Sequence, residues 1–266
     1  GSGRRKEKSR RTAGWTAPDA ERNVIKEVSA MKVRIKFSKE GYLKFIGHLD
    51  TMRYFQKALR RAGLPVAYSE GFSPHIIMSF ASPLGVGVTS SGEYFDVQFT
   101  EEVSTDEIER RLNETMVEGI QILCARKVED GKASKAMSLV EAADYEITFC
   151  GEQRPEEWWS EKICSFLAQK EIPVTKKTKR NEKSVDLRPN IHEMRLSNQG
   201  IFMRLSAASR NYTKPELVLE NFFAYADISP EQYPYQIHRC ELYADLAQEE
   251  NLHRFVPLAD LGERIE

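Results

Sequence analysis

The sequence predicts an α+β protein of two tandem ferredoxin-like (βαββαβ) domains, and three observations carry that reading. Stretches whose apolar residues recur at every second position alternate with stretches of helical spacing. The order strand, helix, strand, strand, helix, strand runs through the chain twice. Leu64-Pro65-Val66, after the first helix, is echoed by Ile172-Pro173-Val174 after the corresponding helix of the second half. The boundaries that follow place a first domain at residues 31–129, a linker at 130–143, a second domain at 144–243 and an irregular tail at 244–266. Residues 1–30, which open Gly-Ser-Gly and continue with a run of Arg and Lys lacking apolar periodicity, read as a disordered basic tail or an extension left by cloning.

From Lys32 the chain alternates, with Val33, Ile35 and Phe37 on one side and Lys32, Arg34 and Lys36 on the other, which is a half-buried strand. Leu49, Met52, Phe55, Leu59 and Ala62 then recur at helical spacing, while Arg53, Lys57, Arg60 and Arg61 gather on another face. Gly63 ends that helix and Leu64-Pro65-Val66 starts an extended segment. Tyr94 to Phe99 alternates again, Ser104 with Glu107 forms a capping box for a helix to about Met116, and Ile120, Ile122 and Cys124 make the closing strand.

In the second half Tyr145, Ile147 and Phe149 alternate, and Trp159, Ile163, Phe166 and Leu167 mark a helix over residues 155–169. An extended pair flanks the turn Asn198-Gln199-Gly200. Thr213 with Glu216 repeats the capping box before a helix to about Ala226, and a strand over 236–243 completes the unit. In the tail, Leu252, Phe255, Val256 and Leu258 are expected to dock back onto a domain.

Composition narrows the chemistry. The chain of 266 residues has a formal net charge of −1, so attraction to a polyanion must come from local segregation of basic groups. Cys124, Cys150, Cys164 and Cys240 form no CxxC pair and no cluster with histidine, so neither a disulfide framework nor a metal or cofactor site is expected. No apolar run approaches the roughly 20 residues that span a bilayer and no signal peptide is evident, which makes the cytoplasm the expected compartment and excludes a membrane partner.

The densest chemistry lies between Phe45 and Leu84. With Gly47 as N-cap, Asp50 stands at the third helical position, where a carboxylate favours the positive helix end. His48 either sits beside free amides that bind phosphate or serves as a capping or packing group. In the loop Tyr68 to His75, Tyr68, Ser69, Gly71 and His75 are candidate RNA contacts, since rings stack on bases and a glycine lets the backbone approach phosphate. The alternative has Phe72 plugging the core, with Pro74 fixing the exit.

Placing Val33, Ile35 and Phe37 under the helices leaves Lys32, Arg34, Lys36, Tyr94 and Gln98 on an open sheet face interrupted by Asp96, a pattern that fits a nucleic-acid platform. The matching residues of the second half, Asp144, Glu146 and Thr148, do not suit RNA and could pack against the first. There the basic candidates are Lys176, Lys177, Lys179, Arg180 and Arg188, on an extended segment that Pro189 interrupts.

The segments FIGHLDTMRYFQKALRRAGLP and YSEGFSPHIIMSFASPLGVGVTSSGEY resemble the radical-SAM-linked domain family of bacteria, with weaker likeness through DLRPNI and KPE. Gly47 stands where that family is expected to carry a serine cap. The resemblance implies a partner fused to, or encoded beside, a radical SAM enzyme; the chain lacks a CxxxCxxC and so holds no such cluster in the usual way. Tandem ferredoxin-like domains also make the architecture similar to CRISPR repeat-processing endoribonucleases, a likeness of fold alone. The leading expectation is an RNA-binding accessory module that presents a tRNA- or rRNA-like molecule of the translation machinery to a radical SAM enzyme. A metal-independent endoribonuclease using His48 or His75 as general acid or base, and a protein–protein adaptor without RNA, are the alternatives.

Overall fold

The computed structural model describes residues 31–131, 134–177, 182–198, 200–248 and 252–266. The expectations for residues 1–30, Lys179, Arg180 and Gln199 fall outside the described residues, as do the side chains of Lys176 and Lys177. The fold is mixed α+β, with a nine-stranded, mostly antiparallel sheet and few helices.

The first half runs β1 (Met31–Lys39), α1 (His48–Arg61), β2 (Met78–Phe80), β3 (Thr89–Phe99), α2 (Thr105–Asn113) and β4 (Ile120–Val128). After α3 (Ala136–Leu139), the second half runs β5 (Ala142–Phe149), α4 (Trp158–Leu167), the hairpin β6 (Pro173–Lys177) and β7 (Glu182–Asp186), then β8 (Ile191–Leu196), β9 (Gly200–Ser206), α5 (Pro215–Ala226) and β10 (Tyr235–Asp245). A short β11 (Phe255–Pro257) follows. The sheet order is β4-β1-β3-β10-β5-β9-β8, with β2 on β3 and β11 on β10, while β6 and β7 form a sheet of their own.

Alternation sets the register. Val33, Ile35 and Phe37 are wholly buried and pack with Phe55 and Leu59 of α1 and Ile108 and Leu112 of α2. Tyr145, Ile147 and Phe149 do the same against Trp159 and Phe166 of α4 and Phe222 and Phe223 of α5. The halves meet where β10 runs parallel to β3, His238 opposite Thr89 and Arg239 opposite Ser90, so one sheet is continuous through both. Gly92 is needed beside this seam: a Cβ there would lie 2.5 Å from Cα of Glu241 and 2.6 Å from the Cys240 carbonyl.

Local chemistry departs from the expected pattern in four places. The second strand of the first half forms at Met78–Phe80, whereas Val66 makes only a single bridge to Phe99. Ser104 caps α2 by accepting from the Glu107 amide at 3.2 Å, but the Glu107 carboxylate turns to Arg110 instead of closing the box. Thr213 caps nothing; α5 starts one residue later, with Lys214 as N-cap and Pro215 at the first position, and the Thr213 hydroxyl donates to the Asn211 carbonyl. The tail is an ordered strap, since after β11 the turn Leu258–Leu261 buries Leu258, Glu263 and Lys127 exchange backbone hydrogen bonds, and the Thr105 amide donates to the Ile265 carbonyl. Leu252, expected to dock, is 60% exposed.

Candidate nucleic-acid interface

The first-half platform that alternation suggested is closed. Arg34 is buried and clamps Asp96 through Nε to Oδ1 (2.9 Å) and Nη2 to Oδ2 (3.2 Å), while its remaining N–H groups donate to the carbonyls of Leu258 (3.2 Å) and Ser134 (2.8 Å). Tyr94 is buried as well, and its hydroxyl donates to Glu241 at 2.6 Å. Burial and the adjoining carboxylate push that phenol far above its ordinary range. Lys36 pairs with the same Glu241 at 2.5 Å, and Lys32 lies 3.7 Å from Asp96. The physical reason is the strap: the Leu258–Leu261 turn and the stretch entering α3 lie over the face that β1 and β3 would have offered to RNA. Lys32, Arg34, Lys36 and Tyr94 therefore serve cohesion at this face.

Arg188 is likewise committed, donating through Nε to the Leu167 carbonyl (2.6 Å) and through Nη1 to the Ile191 carbonyl (3.0 Å). On the corresponding face of the second half, Asp144 receives a bidentate pair from Arg204 and a hydrogen bond from the Tyr243 hydroxyl.

Helix α1 remains exposed on one side, and its sequence explains why. Phe55, Ala58 and Leu59 face the sheet, which turns Leu49, Arg53, Lys57 and Arg60 outward at intervals of three and four residues along a single stripe. Local roles account for part of the charge. Arg53 pairs with Asp50 at 3.2 Å across one turn, and Arg61 donates to the Thr115 carbonyl at 3.2 Å and lies over the Tyr54 ring. Both arginines of the last turn also suit the negative end of the helix dipole. Lys57 and Arg60 have no carboxylate within salt-bridge distance among the described residues. Just past the helix, Arg111 donates to the carbonyls of Ala62 (2.9 Å) and Gly63 (2.5 Å).

The stripe leads into the Tyr68–His75 loop, where the Arg60 guanidinium lies 6.0 Å from the centre of the Tyr68 ring. The loop is clasped at its base. The Ser69 amide donates to the His75 carbonyl at 2.8 Å, and the Ser69 hydroxyl bonds both the His75 amide (3.1 Å) and its Nδ1 (2.8 Å). Gly71 takes a φ of +107°, a conformation that L side chains rarely adopt. Phe72, expected to plug the core, instead stands at the tip with a relative exposure of 109%. Closure of the loop at its base leaves the ring no path inward.

At the other end of the stripe the sequence also misled. Leu49 is 65% exposed, and so to varying degrees are Tyr42, Phe45, Ile46 and Val86 of the neighbouring segments, which are tied by the Gly87 amide donating to the Lys44 carbonyl. Helical spacing assigned Leu49 to the buried face; in the helix it falls on the stripe of Arg53, Lys57 and Arg60, turned away from Phe55 and Leu59.

His48 begins α1 after the N-cap Gly47 and packs edge-on against Phe80, with ring centres 5.3 Å apart. Burial holds its pKa below the ordinary value, with the charges of Lys39 and Arg239 acting the same way and that of Glu93 opposing them. No hydrogen bond joins His48 to His75 among the described residues, so the two imidazoles belong to different surroundings.

Periodicity did not reveal the polar seam between the halves. Arg239, wholly buried, clamps Glu93 through Nε (2.9 Å) and Nη2 (2.7 Å) and also donates to the Ser82 and Pro83 carbonyls. Beside it opens a cleft of about 390 Å³ lined by Leu84, Met137, Val140, Tyr212 and Lys214 among others.

These features define an α+β protein with a closed sheet face and an exposed, basic and aromatic helix–loop surface. The chain belongs to DUF2344, a family described as an uncharacterized protein conserved in bacteria, whose model matches residues 32–215. No curated protein matches the chain. Among the described residues no helix is long and apolar enough to cross a membrane, and no group of three or more His, Cys, Asp or Glu could hold a metal ion.

Proposed function

We propose that the chain is an RNA-binding accessory module built of two ferredoxin-like units, with its contact surface on α1 and the Tyr68–His75 loop. Support for the units comes from strand order. In the first half β4-β1-β3 carries β2 on β3, and in the second the order is β10-β5-β9-β8, each the fourth-first-third-second arrangement of a split βαβ. The observation that carries the functional reading is the pair of cations without carboxylates, Lys57 and Arg60, on one helix stripe whose Arg60 lies over the exposed Tyr68 ring, in a loop that also exposes Phe72. Cations along a ridge attract the phosphate backbone, and rings beside them take bases.

The likeness of the FIGHLD and SEGFSP segments to radical-SAM-linked proteins supports a radical SAM enzyme as partner and a structured RNA of the translation machinery as cargo, with the cytoplasm as the proposed compartment. In this reading Lys57 and Arg60 position the RNA, and the chemistry belongs to the partner.

The test is binding of tRNA by the full chain over a range of salt concentrations. Reversal of Lys57 and Arg60 to glutamate weakens binding and flattens the dependence of log affinity on log salt by about 0.7 for each single-strand phosphate that is no longer neutralised. Unchanged affinity and slope, with the variant folded, would remove α1 from the interface.

A further inference from the structure

We infer that Phe72 stacks on an unpaired base, so that the RNA taken by the α1 surface carries single-stranded or bulged nucleotides and is not a uniform duplex. This inference rests on the RNA reading above. A phenyl ring gains nothing by standing in water, and burial of such a side chain is ordinarily among the larger contributions to folding. Here a clasped loop keeps it out: Ser69 and His75 close the base, Tyr68 bridges Ile76, the Ile77 amide donates to the Ala67 carbonyl, and Gly71 turns the backbone in a conformation open to few other residues.

Two kinds of partner could cover the ring, a nucleic-acid base or an apolar groove in a protein. Surrounding charge favours the base. At the start of the same loop, Arg60 lies over Tyr68 and begins the row that continues through Lys57, which suits a polyanion and adds nothing to docking in an apolar groove. Glu70, exposed beside the tip, pairs with no cation among the described residues. A carboxylate there repels phosphates and accepts from exocyclic amines, so the tip meets the base side of a strand while α1 meets its backbone. Bases within an A-form duplex are already stacked on both faces and lie beyond reach of a single protruding ring, which leaves unpaired nucleotides as the ligand.

The experiment measures affinities of the full chain for a poly(A) strand and for a blunt RNA duplex of equal length. The Phe72 ring packs against nothing, so Phe72→Ala leaves the fold intact. Poly(A) affinity then falls by roughly 5- to 150-fold, duplex affinity stays the same, and Phe72→Trp restores strand binding. If Phe72→Ala binds poly(A) as the wild type does while the Lys57 and Arg60 reversals abolish binding, stacking is refuted and the α1 surface stands. Failure of the wild-type chain to bind either RNA overturns both readings. A photo-crosslinker in place of Phe72 that labels protein and no RNA in cells overturns the inference in favour of a protein partner.

Discussion

Two buried carboxylates, Glu93 and Asp96, each neutralise one buried guanidinium, and the two pairs differ in what they join. Glu93 with Arg239 ties β3 to β10 across the seam, whereas Asp96 with Arg34 ties neighbouring strands and offers Oδ2 to the Ala136 amide at 2.8 Å. Removing one partner of such a pair strands the other charge away from water. Asp96→Ala is therefore expected to cost roughly 3–5 kcal/mol in chemical denaturation, and a second change, Arg34→Met, to recover much of it. A single change that costs under about 1 kcal/mol would show that water reaches Arg34. At this scale the sequence was legible in direction but not in environment: alternation put Arg34 and Tyr94 on the side away from the helices, which is correct. What covers that side comes from Leu258, 224 positions further along, and no local pattern carries that information. Phe72 failed in the opposite sense, because hydrophobicity assigned it to the core and loop closure kept it out.

Elements were easier to read than their surroundings. The strand at Met31–Lys39, the helix starting after Gly47, the Ser104 cap and the Pro215 helix all follow from periodicity and end signals that act within a few residues. The short β2 was not separable from loop by such signals, and the β6–β7 stretch was legible as extended but not as a sheet of its own, since pairing partners and not propensity define both. Contact between β3 and β10 belongs to the same class, and it makes Gly92 an informative position. Gly92→Ala forces the backbones apart at Cys240 and Glu241, with an expected cost of about 1–3 kcal/mol and faster amide exchange along β10 than along β1. Equal exchange in the two strands would show that the seam absorbs a methyl group.

In the whole molecule the strap of residues 255–265 is held partly by titratable groups, and this gives stability a pH dependence of predictable sign. His192 donates or accepts at Ser206 (3.0 Å) and packs on the His253 and Phe255 rings; His253 in turn bonds Asp245 at 2.6 Å, and Arg204 lies over Phe255. Burial first, then His253, lowers the His192 pKa from the ordinary 6.5 to about 4. Between those values the unfolded chain binds a proton that the folded chain refuses, so stability falls as pH drops from about 6.5 to about 4. At Asp245 burial alone would raise the pKa, but hydrogen bonds from His253 and the backbone together outweigh it and hold the carboxyl below its ordinary value, which pulls the same way at lower pH. His192→Gln should flatten the upper part of that slope in pH-dependent denaturation, and an unaltered slope would exclude His192 as its source. One consequence of the strand order concerns synthesis. β10 sits between β3 and β5 although it is made after both, and His238 pairs with a residue 149 positions earlier. Until it emerges from the ribosome, the nascent chain carries a long unpaired strand edge at β5, rich in buried apolar residues and open to other chains, beside the short stretch of β3 at Thr89 and Ser90 that β2 does not reach. A chain terminated before Tyr235 loses the middle of the sheet and not its margin, so premature stops there favour aggregation over a shortened but folded protein, and completion of the strand is the slow, long-range step of folding.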